Sequence, residues 1–189
     1  MGLVILIVFG GLLVVAVGYA IGIYNQLIGI KVNVDKSWSN IEVLEKQRYD
    51  EIPKLVKVCE GYMKYERDTL ERVIAARTRY LQATGPGDMA EAGNQLSGAL
   101  KSLFALAESY PDLKANQNFI QLQNRVTQLE NSIADRREFY NESVTILNSR
   151  IQQVPYVFFA GMVSAVAREM YKVAAAERVS PEINFELPR

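Results

Sequence analysis

Few side chains in this sequence are suited to covalent or acid–base chemistry. There is one cysteine, Cys59, and there is no histidine, so a thiol nucleophile would have no imidazole to activate it. Cys59 keeps the phase of the apolar residues around it, which predicts a buried structural thiol. One cysteine also leaves no disulfide within this sequence. We therefore expect no catalytic residue and no cofactor.

Two charged residues stand out by their spacing. Glu130 and Arg137 are one heptad apart and therefore share one face of a helix. Either they belong to a polar network inside a helical bundle, which would fix the register of the helices, or they are ordinary surface charges. Both interpretations stay open at this stage.

No metal site is expected. Carboxylate clusters in four-helix bundles use Glu-x-x-His motifs, which a sequence without histidine cannot supply. A carboxylate-only, metal-dependent enzyme is kept as a remote alternative, with Glu66 and Glu130 as the residues to substitute.

Charge is balanced overall but unevenly distributed. Lysine plus arginine and aspartate plus glutamate number 21 each, so net charge gives no reason to expect a nucleic-acid partner. Apart from the terminal amine, residues 1–30 carry no charge, whereas the remainder alternates in sign every few residues. The alternating charges indicate solvated outer helix faces.

Residues 1–30 predict a transmembrane anchor. A helix needs about 20 apolar residues to cross about 30 Å of hydrocarbon, and this stretch supplies more. It lacks the basic start and the small-residue cleavage site of a signal peptide, so we expect it to be retained. Lys31 and Lys36 follow the span and no lysine or arginine precedes it. The positive-inside rule therefore predicts a single-pass protein with its remainder in the cytoplasm.

A stripe of small residues runs along this predicted anchor. Gly18 and Gly22 form a small-xxx-small pair, which allows two helix backbones to approach closely in lipid. The full stripe, on one helical face, consists of Gly11, Gly18, Gly22, Asn25 and Gly29. It predicts packing between anchors of two copies, although glycine is also simply common in membrane helices.

Beyond Lys31 the apolar residues recur with helical periodicity. A first run extends to Tyr80 and contains Pro53, where we expect a kink or a break. ThrGlyProGly at 84–87 predicts a turn, and Asp88 is a candidate N-cap for a second helix that ends near Pro111. The members of the first two runs are Val34, Trp38, Ile41, Ile52, Leu55, Cys59, Tyr62, Leu70, Val73 and Tyr80, then Met89, Leu96, Leu100, Leu103 and Leu106.

A third predicted helix has no glycine or proline between Asp112 and Pro155. Asn116 or Asn118 is expected to cap it, and about 40 residues would make it about 60 Å long. Its apolar members are Phe119, Leu122, Val126, Leu129, Ile133, Tyr140, Val144, Leu147, Ile151 and Val154. The predicted fold is all-α: a transmembrane helix (1–30), then a long antiparallel, coiled-coil-like bundle of three to four helices (31–155), then an apolar C-terminal segment and tail (156–189).

Residues 156–167 form a second uncharged stretch, twelve residues long and too short to span a bilayer. Three interpretations remain: an interfacial or re-entrant segment, a buried fourth helix, or a contact between subunits. If three helices alternate in direction, Pro155 lies far from the membrane and the segment meets protein. The residues expected to make an oligomer or membrane contact are Tyr156, Phe158, Phe159, Met162, Val163 and Val166.

Several blocks in order resemble the LemA family of bacterial membrane proteins. They are Tyr24-Asn25, Trp38-Ser39, RYDEIPKLVKVCEGY around Pro53, Ala76-Arg77, YPDLKAN at 110–116 and LQNRVTQLENSIADRREFYNESVTILN, which includes Glu130, Arg137, Tyr140 and Asn141. The resemblance covers roughly residues 20–155. The last 34 residues match poorly, apart from Ser180-Pro181 and Phe185.

The resemblance implies an N-terminal membrane helix, a cytoplasmic antiparallel bundle at the bacterial inner membrane and no established enzymatic activity. It also implies association with membrane structures such as magnetosomes, which favours scaffolding. We therefore expect a non-enzymatic, membrane-anchored scaffold that forms homo-oligomers through its transmembrane and helical segments. The alternative is a membrane-bound adaptor that docks other proteins. The lipid bilayer is the one partner expected in either case.

Overall fold

The computed structural model describes residues 1–171, and the remaining tail, with Ser180, Pro181 and Phe185, lies outside the described residues. The protein is all-α over this range, as predicted, with no strand among the described residues. Its helices are α1 (Gly2–Glu60), α2 (Arg67–Gln82), α3 (Gly85–Ala107), α4 (Pro111–Lys114), α5 (Gln117–Arg150) and α6 (Val157–Ala160).

Residue contacts group the described chain into two compact units. The anchor unit consists of residues 1–46 and 131–170, and the core unit consists of residues 47–130 with Tyr171. The two long helices α1 and α5 each contribute to both units. Each unit is described separately below.

In the anchor unit, α1 and α5 run antiparallel. Ser37 lies opposite Ser143, with 3.3 Å between their hydroxyl oxygens, and Glu45 lies opposite Arg137. The residue numbers on α5 fall as those on α1 rise, so the two helices run in opposite directions. Apolar side chains at helical spacing pack between the two helices, namely Val34, Ile41, Ile133, Tyr140, Val144 and Leu147.

In the core unit, the end of α1 and the start of α5 pack with α2, α3 and α4 around one hydrophobic core. Its buried members are Ile52, Leu55, Val56, Cys59, Met63, Leu70, Val73, Leu96, Leu100, Leu103, Ala107, Leu113, Phe119 and Val126. Most of these residues belong to the predicted apolar stripes, because three- and four-residue steps place side chains on one helix face. The long helices α1, α2, α3 and α5 give the bundle four members, within the predicted range.

Of the two alternatives predicted at Pro53, a kink or a break, the break is wrong, and the kink stays a prediction. Helix α1 continues through Pro53 and ends at Glu60, and the chain reverses over residues 61–66. Pro53 has no N–H for the carbonyl of Tyr49, four residues earlier. That carbonyl instead accepts a hydrogen bond from Nε of Arg77, so the helix tolerates the proline.

Two other helix boundaries differ from the sequence prediction. Asp88 is not the N-cap of α3, because the helix begins at Gly85, whose φ of +78° favours glycine over residues with a side chain. Helix α5 ends at Arg150, five residues before Pro155. Its start agrees with the prediction, since Oδ1 of Asn116 accepts the N–H of Phe119 at 3.1 Å.

Candidate membrane and assembly sites

The first part of α1 contains a segment long and apolar enough to cross a membrane. None of the residues in its most apolar 18-residue window is buried by the described chain. A core helix of a soluble protein would bury such side chains. The exposed apolar side chains of this segment are Leu3, Val4, Ile5, Leu6, Ile7, Val8, Phe9, Leu12, Leu13, Val14, Val15, Val17 and Ile21.

The glycine stripe of α1 lies open. A Cβ atom added at Gly11, Gly18, Gly22 or Gly29 would meet no atom of residues 1–171 within 4 Å, and Asn25 on the same stripe is exposed. The buried face of α1 at this level is marked by Ile23, Leu27 and Val34. At about 100° per residue, the stripe lies roughly 145° around the helix from that buried face. Nothing in the described part of the chain covers it.

Arg137 and Glu45 form an ion pair in the anchor unit. Their charged atoms are 3.0 Å apart, with Glu45 2% and Arg137 18% exposed. Trp38 packs beside this helix pair, its ring tilted against Tyr140 with the centroids 5.3 Å apart. A buried carboxylate is costly unless it is paired, so Arg137 stabilises Glu45 between the helices.

Glu130 and Arg48 form a second ion pair, in the core unit. Nη1 of Arg48 lies 3.4 Å from the Glu130 carboxylate and donates to the Ser97 hydroxyl at 3.1 Å. Arg48 is 1% exposed, and its guanidinium carbon lies 5.9 Å from the centre of the Tyr80 ring. Helices α1, α3 and α5 thus meet at one guanidinium, whose planar group suits a buried, multidentate site.

Glu130 pairs with Arg48 and Arg137 pairs with Glu45, and neither of these two partners on α1 was predicted. A signal for both partners was present. Glu45 and Arg48 continue the three- and four-residue steps between Ile41 and Ile52, and Arg137 does the same between Ile133 and Tyr140. A charge in phase with an apolar stripe indicates a buried, paired charge.

The chain after α5 runs back along α1 in the anchor unit. We call residues 156–170 the return segment. The Tyr156 hydroxyl donates to Oε1 of Gln26 at 2.5 Å, Nζ of Lys31 donates to the Val163 carbonyl at 3.1 Å, and Arg168 pairs with Asp35 at 3.1 Å. Residues 156–168 therefore follow α1 from Gln26 to Asp35.

The expectation that Pro155 lies far from the predicted anchor is wrong, because Tyr156 contacts Gln26 of α1, four residues beyond Gly22. Within the anchor unit α5 runs antiparallel to α1, so its end returns toward the start of the chain. Of the predicted contact residues, Val163 is buried, Tyr156 and Phe159 are half-buried, and Phe158, Met162 and Val166 are exposed.

The remaining candidates for chemistry are separate from these sites. Cys59 lies fully buried in the core, and burial, with a smaller effect of Glu60, raises the pKa of its thiol to about 12. Glu66 accepts a hydrogen bond from the Tyr110 hydroxyl at 3.2 Å. Among residues 1–171, no three cysteine or carboxylate side chains are placed to hold a metal ion.

An exposed apolar start to α1, antiparallel long helices and ion pairs buried between them define a class of membrane-associated, all-α bundle proteins. The chain belongs to the LemA family, whose model matches residues 37–185. The match extends beyond the predicted end at residue 155 and includes Ser180, Pro181 and Phe185, the C-terminal residues already noted as similar to the family.

Similar proteins agree with this assignment. Protein LemA of Metamycoplasma hominis is 28% identical over 158 residues, which cover 82% of this chain and 68% of that protein. Magnetosome proteins MamQ 1 and MamQ 2 of Paramagnetospirillum magneticum are each 24% identical, covering 72% of this chain and 60% of theirs. The chain thus spans about three fifths of the length of these magnetosome relatives. Family and relatives fit a membrane-associated protein.

Proposed function

We propose that this protein is a membrane-anchored, non-enzymatic scaffold that assembles with copies of itself through the glycine stripe of α1. The observation that carries the proposal is the position of the stripe, which is open and faces away from the buried side of α1. In lipid, small residues allow helix backbones to approach, and the Asn25 amide can hydrogen-bond across the contact. Confinement to a bilayer raises the local concentration of anchors, so that weak contacts suffice.

The proposed location is the bacterial inner membrane, with the helical domain in the cytoplasm. Lys31 and Lys36 follow the span, and the positive-inside rule assigns their side to the cytoplasm. Relatives named as magnetosome proteins support a role at a membrane structure. A cysteine at exposed Val43 should react with a membrane-impermeant maleimide only after the cells are opened.

Glycine substitution in the stripe tests the assembly. Isoleucine at Gly18 and Gly22 would place branched side chains between the two backbones, so the double variant should remain in the membrane as a monomer. Native mass spectrometry in mild detergent, across a range of concentrations, measures the subunit number. Gly10→Ile is the matched control, because Gly10 is equally open but lies about 95° around the helix from the stripe. A wild-type protein that is monomeric at every concentration overturns the proposal.

A groove between α1 and α5 in the core unit favours the adaptor as the second candidate. It is lined by Lys54, Lys57, Val58, Asn118, Gln121, Leu122 and Arg125. Three cationic and two amide side chains around an apolar floor suit an acidic, partly apolar segment of another protein. Photo-crosslinkers at Gln121 should then give adducts with other proteins, whereas a pure scaffold gives none at this position.

A further inference from the structure

The return segment carries apolar side chains that the described chain leaves uncovered. With Val154 just before it, the exposed fractions are 73% for Val154, 43% for Val157, 72% for Phe158, 69% for Met162 and 61% for Val166. All five lie within residues 154–166, a stretch without a charged side chain. Soluble surfaces rarely gather so many large apolar side chains, which mark contact with protein or membrane.

Contacts between the return segment and α1 fix the position of these exposed side chains along α1. Tyr156 is held at Gln26 and the Val163 carbonyl at Lys31. Further along, Arg168 is held at Asp35. Phe158 and Met162 lie in sequence between Tyr156 and Val163. They are therefore at the level of residues 26–31 of α1.

This level coincides with the expected edge of the bilayer. The exposed apolar stretch of α1 ends near Gly22, where protein begins to cover the helix at Ile23 and Leu27. About 20 residues cross the hydrocarbon, and the headgroup region adds about 5–7 Å on each side. Gln26 is four residues beyond Gly22, which is about 6 Å along the helix. The Tyr156–Gln26 contact therefore lies at headgroup depth.

We propose that the exposed apolar side chains of the return segment insert into the headgroup–acyl boundary of the bilayer that α1 spans. The occupant is lipid, since lipid surrounds α1 at this height wherever no protein covers it. Half-buried Tyr156, with an apolar ring and a hydroxyl donating to Gln26, is the kind of side chain that favours this interface. Lys31 lies at the same level, where its ammonium group suits anionic headgroups.

The insertion gives the protein a second membrane contact besides the anchor. A helix held at one point can tilt and rotate in a bilayer, and interfacial residues restrict both motions. The return segment would thereby hold α1 and the end of α5 at a fixed angle to the membrane. This inference rests on α1 spanning the bilayer, as in the proposed function, but not on self-association.

Site-directed spin labelling of the full chain tests the insertion. Phe158→Cys and Met162→Cys variants are labelled and reconstituted into vesicles of phosphatidylcholine and phosphatidylglycerol. Collision with oxygen, which concentrates in lipid, is compared with collision with a water-soluble nickel complex. Native Cys59 is buried, and wild-type protein carried through the same labelling reports its background. Val43→Cys, exposed on α1 at 56% and about 18 Å beyond Lys31, is the matched aqueous control.

The expected result is that labels at 158 and 162 collide mainly with oxygen, whereas the label at 43 collides mainly with the nickel complex. Nickel-dominated collisions at 158 and 162 overturn the proposal. The proposal is also overturned if the labels are protected from both reagents and show spin–spin broadening that disappears on dilution with unlabelled protein. In that case a second copy of the protein covers Phe158 and Met162. A label at Val15→Cys that is not lipid-exposed shows instead that the anchor, and with it the proposed function, has failed.

Discussion

The guanidinium of Arg77 lies over the ring of Tyr49, 3.6 Å from its centre, and its Nε donates to the Tyr49 carbonyl at 3.3 Å. This is the carbonyl that Pro53 leaves without its usual helical donor. The Arg77 side chain, from α2, thus supplies the donor that Pro53 lacks and also stacks on the ring of Tyr49. The contact explains why α1 remains helical for seven residues beyond Pro53.

Arg77→Ala should lower the free energy of unfolding by about 1–3 kcal/mol, because a helix carbonyl loses its donor and a cation–π contact is lost. Urea unfolding of the full chain in mild detergent, followed by far-ultraviolet circular dichroism, measures the change. In a Pro53→Ala background the backbone gains an N–H at position 53 that can bond to the Tyr49 carbonyl, so the same Arg77 substitution should cost less. Equal costs in both backgrounds would contradict the compensation.

The Glu45–Arg137 pair leads to a second prediction. Glu45→Ala should destabilise the protein by about 3–5 kcal/mol, because it leaves the Arg137 charge between the helices without this partner. Replacing both residues with leucine should recover most of the loss, since paired burial carries a desolvation cost that apolar side chains avoid. Glu138→Ala, at an exposed neighbouring position, should change stability by less than about 0.5 kcal/mol. If the double leucine variant is no more stable than Glu45→Ala, the loss in Glu45→Ala does not come from leaving Arg137 without this partner.

Local patterns in the sequence predicted the helices, the membrane span and the start of α5. These features depend on the residues within one helix: an uncharged run, a three- and four-residue period, and an asparagine before the first turn. The sequence left open whether α1 breaks at Pro53, because the residue that supports the continuous helix, Arg77, is 24 residues away in sequence and on another helix.

The candidate sites were predicted less well for the same reason. Spacing placed Glu130 and Arg137 on one helix face, but their partners Arg48 and Glu45 are 82 and 92 residues away. The predicted position of Pro155 depended on the number of chain reversals, and counting three alternating helices placed it far from the part of α1 that Tyr156 contacts. Errors in a single boundary therefore change which residues can face the membrane.

Asp88 gives a pH-dependent prediction at the turn between α2 and α3. Its carboxylate pairs with Arg79 and accepts the Thr84 N–H at 2.9 Å, and these hydrogen bonds lower the pKa of Asp88 below its ordinary value. A lowered pKa in the folded state stabilises the protein above the unfolded pKa, and the contribution is lost as pH falls through the folded pKa. The difference in melting temperature between wild type and Asp88→Asn should therefore shrink as pH falls from about 5 to about 2.

Carbon-13 NMR of the Asp88 carboxyl group checks the cause directly. Its titration midpoint should lie below the ordinary aspartate value and should rise toward that value in Arg79→Gln, because the largest contribution comes from the Arg79 hydrogen bond. An unchanged midpoint in the variant would show that Arg79 is not responsible.

Cys59 should resist alkylation while the protein is folded. Only the thiolate reacts with alkylating reagents. With the pKa of Cys59 raised to about 12 in the folded protein, about 10⁻⁴ of the thiol is ionised at pH 8. In the unfolded chain, where the pKa is the ordinary 9.0, about one tenth is ionised at the same pH. Iodoacetamide should thus modify native Cys59 about 10³-fold more slowly than urea-unfolded protein. Mass spectrometry follows the adduct, and Tyr65→Cys, at a position 94% exposed, supplies a thiol that reacts quickly in the same folded molecule. Because the folded pKa is raised, the buried thiol also stabilises the fold fully below pH 9, and this contribution declines as pH rises from 9.0 toward about 12. Rapid modification of native Cys59 at pH 8 would mean that the core around it opens, and that Cys59 is not the closed structural thiol described here.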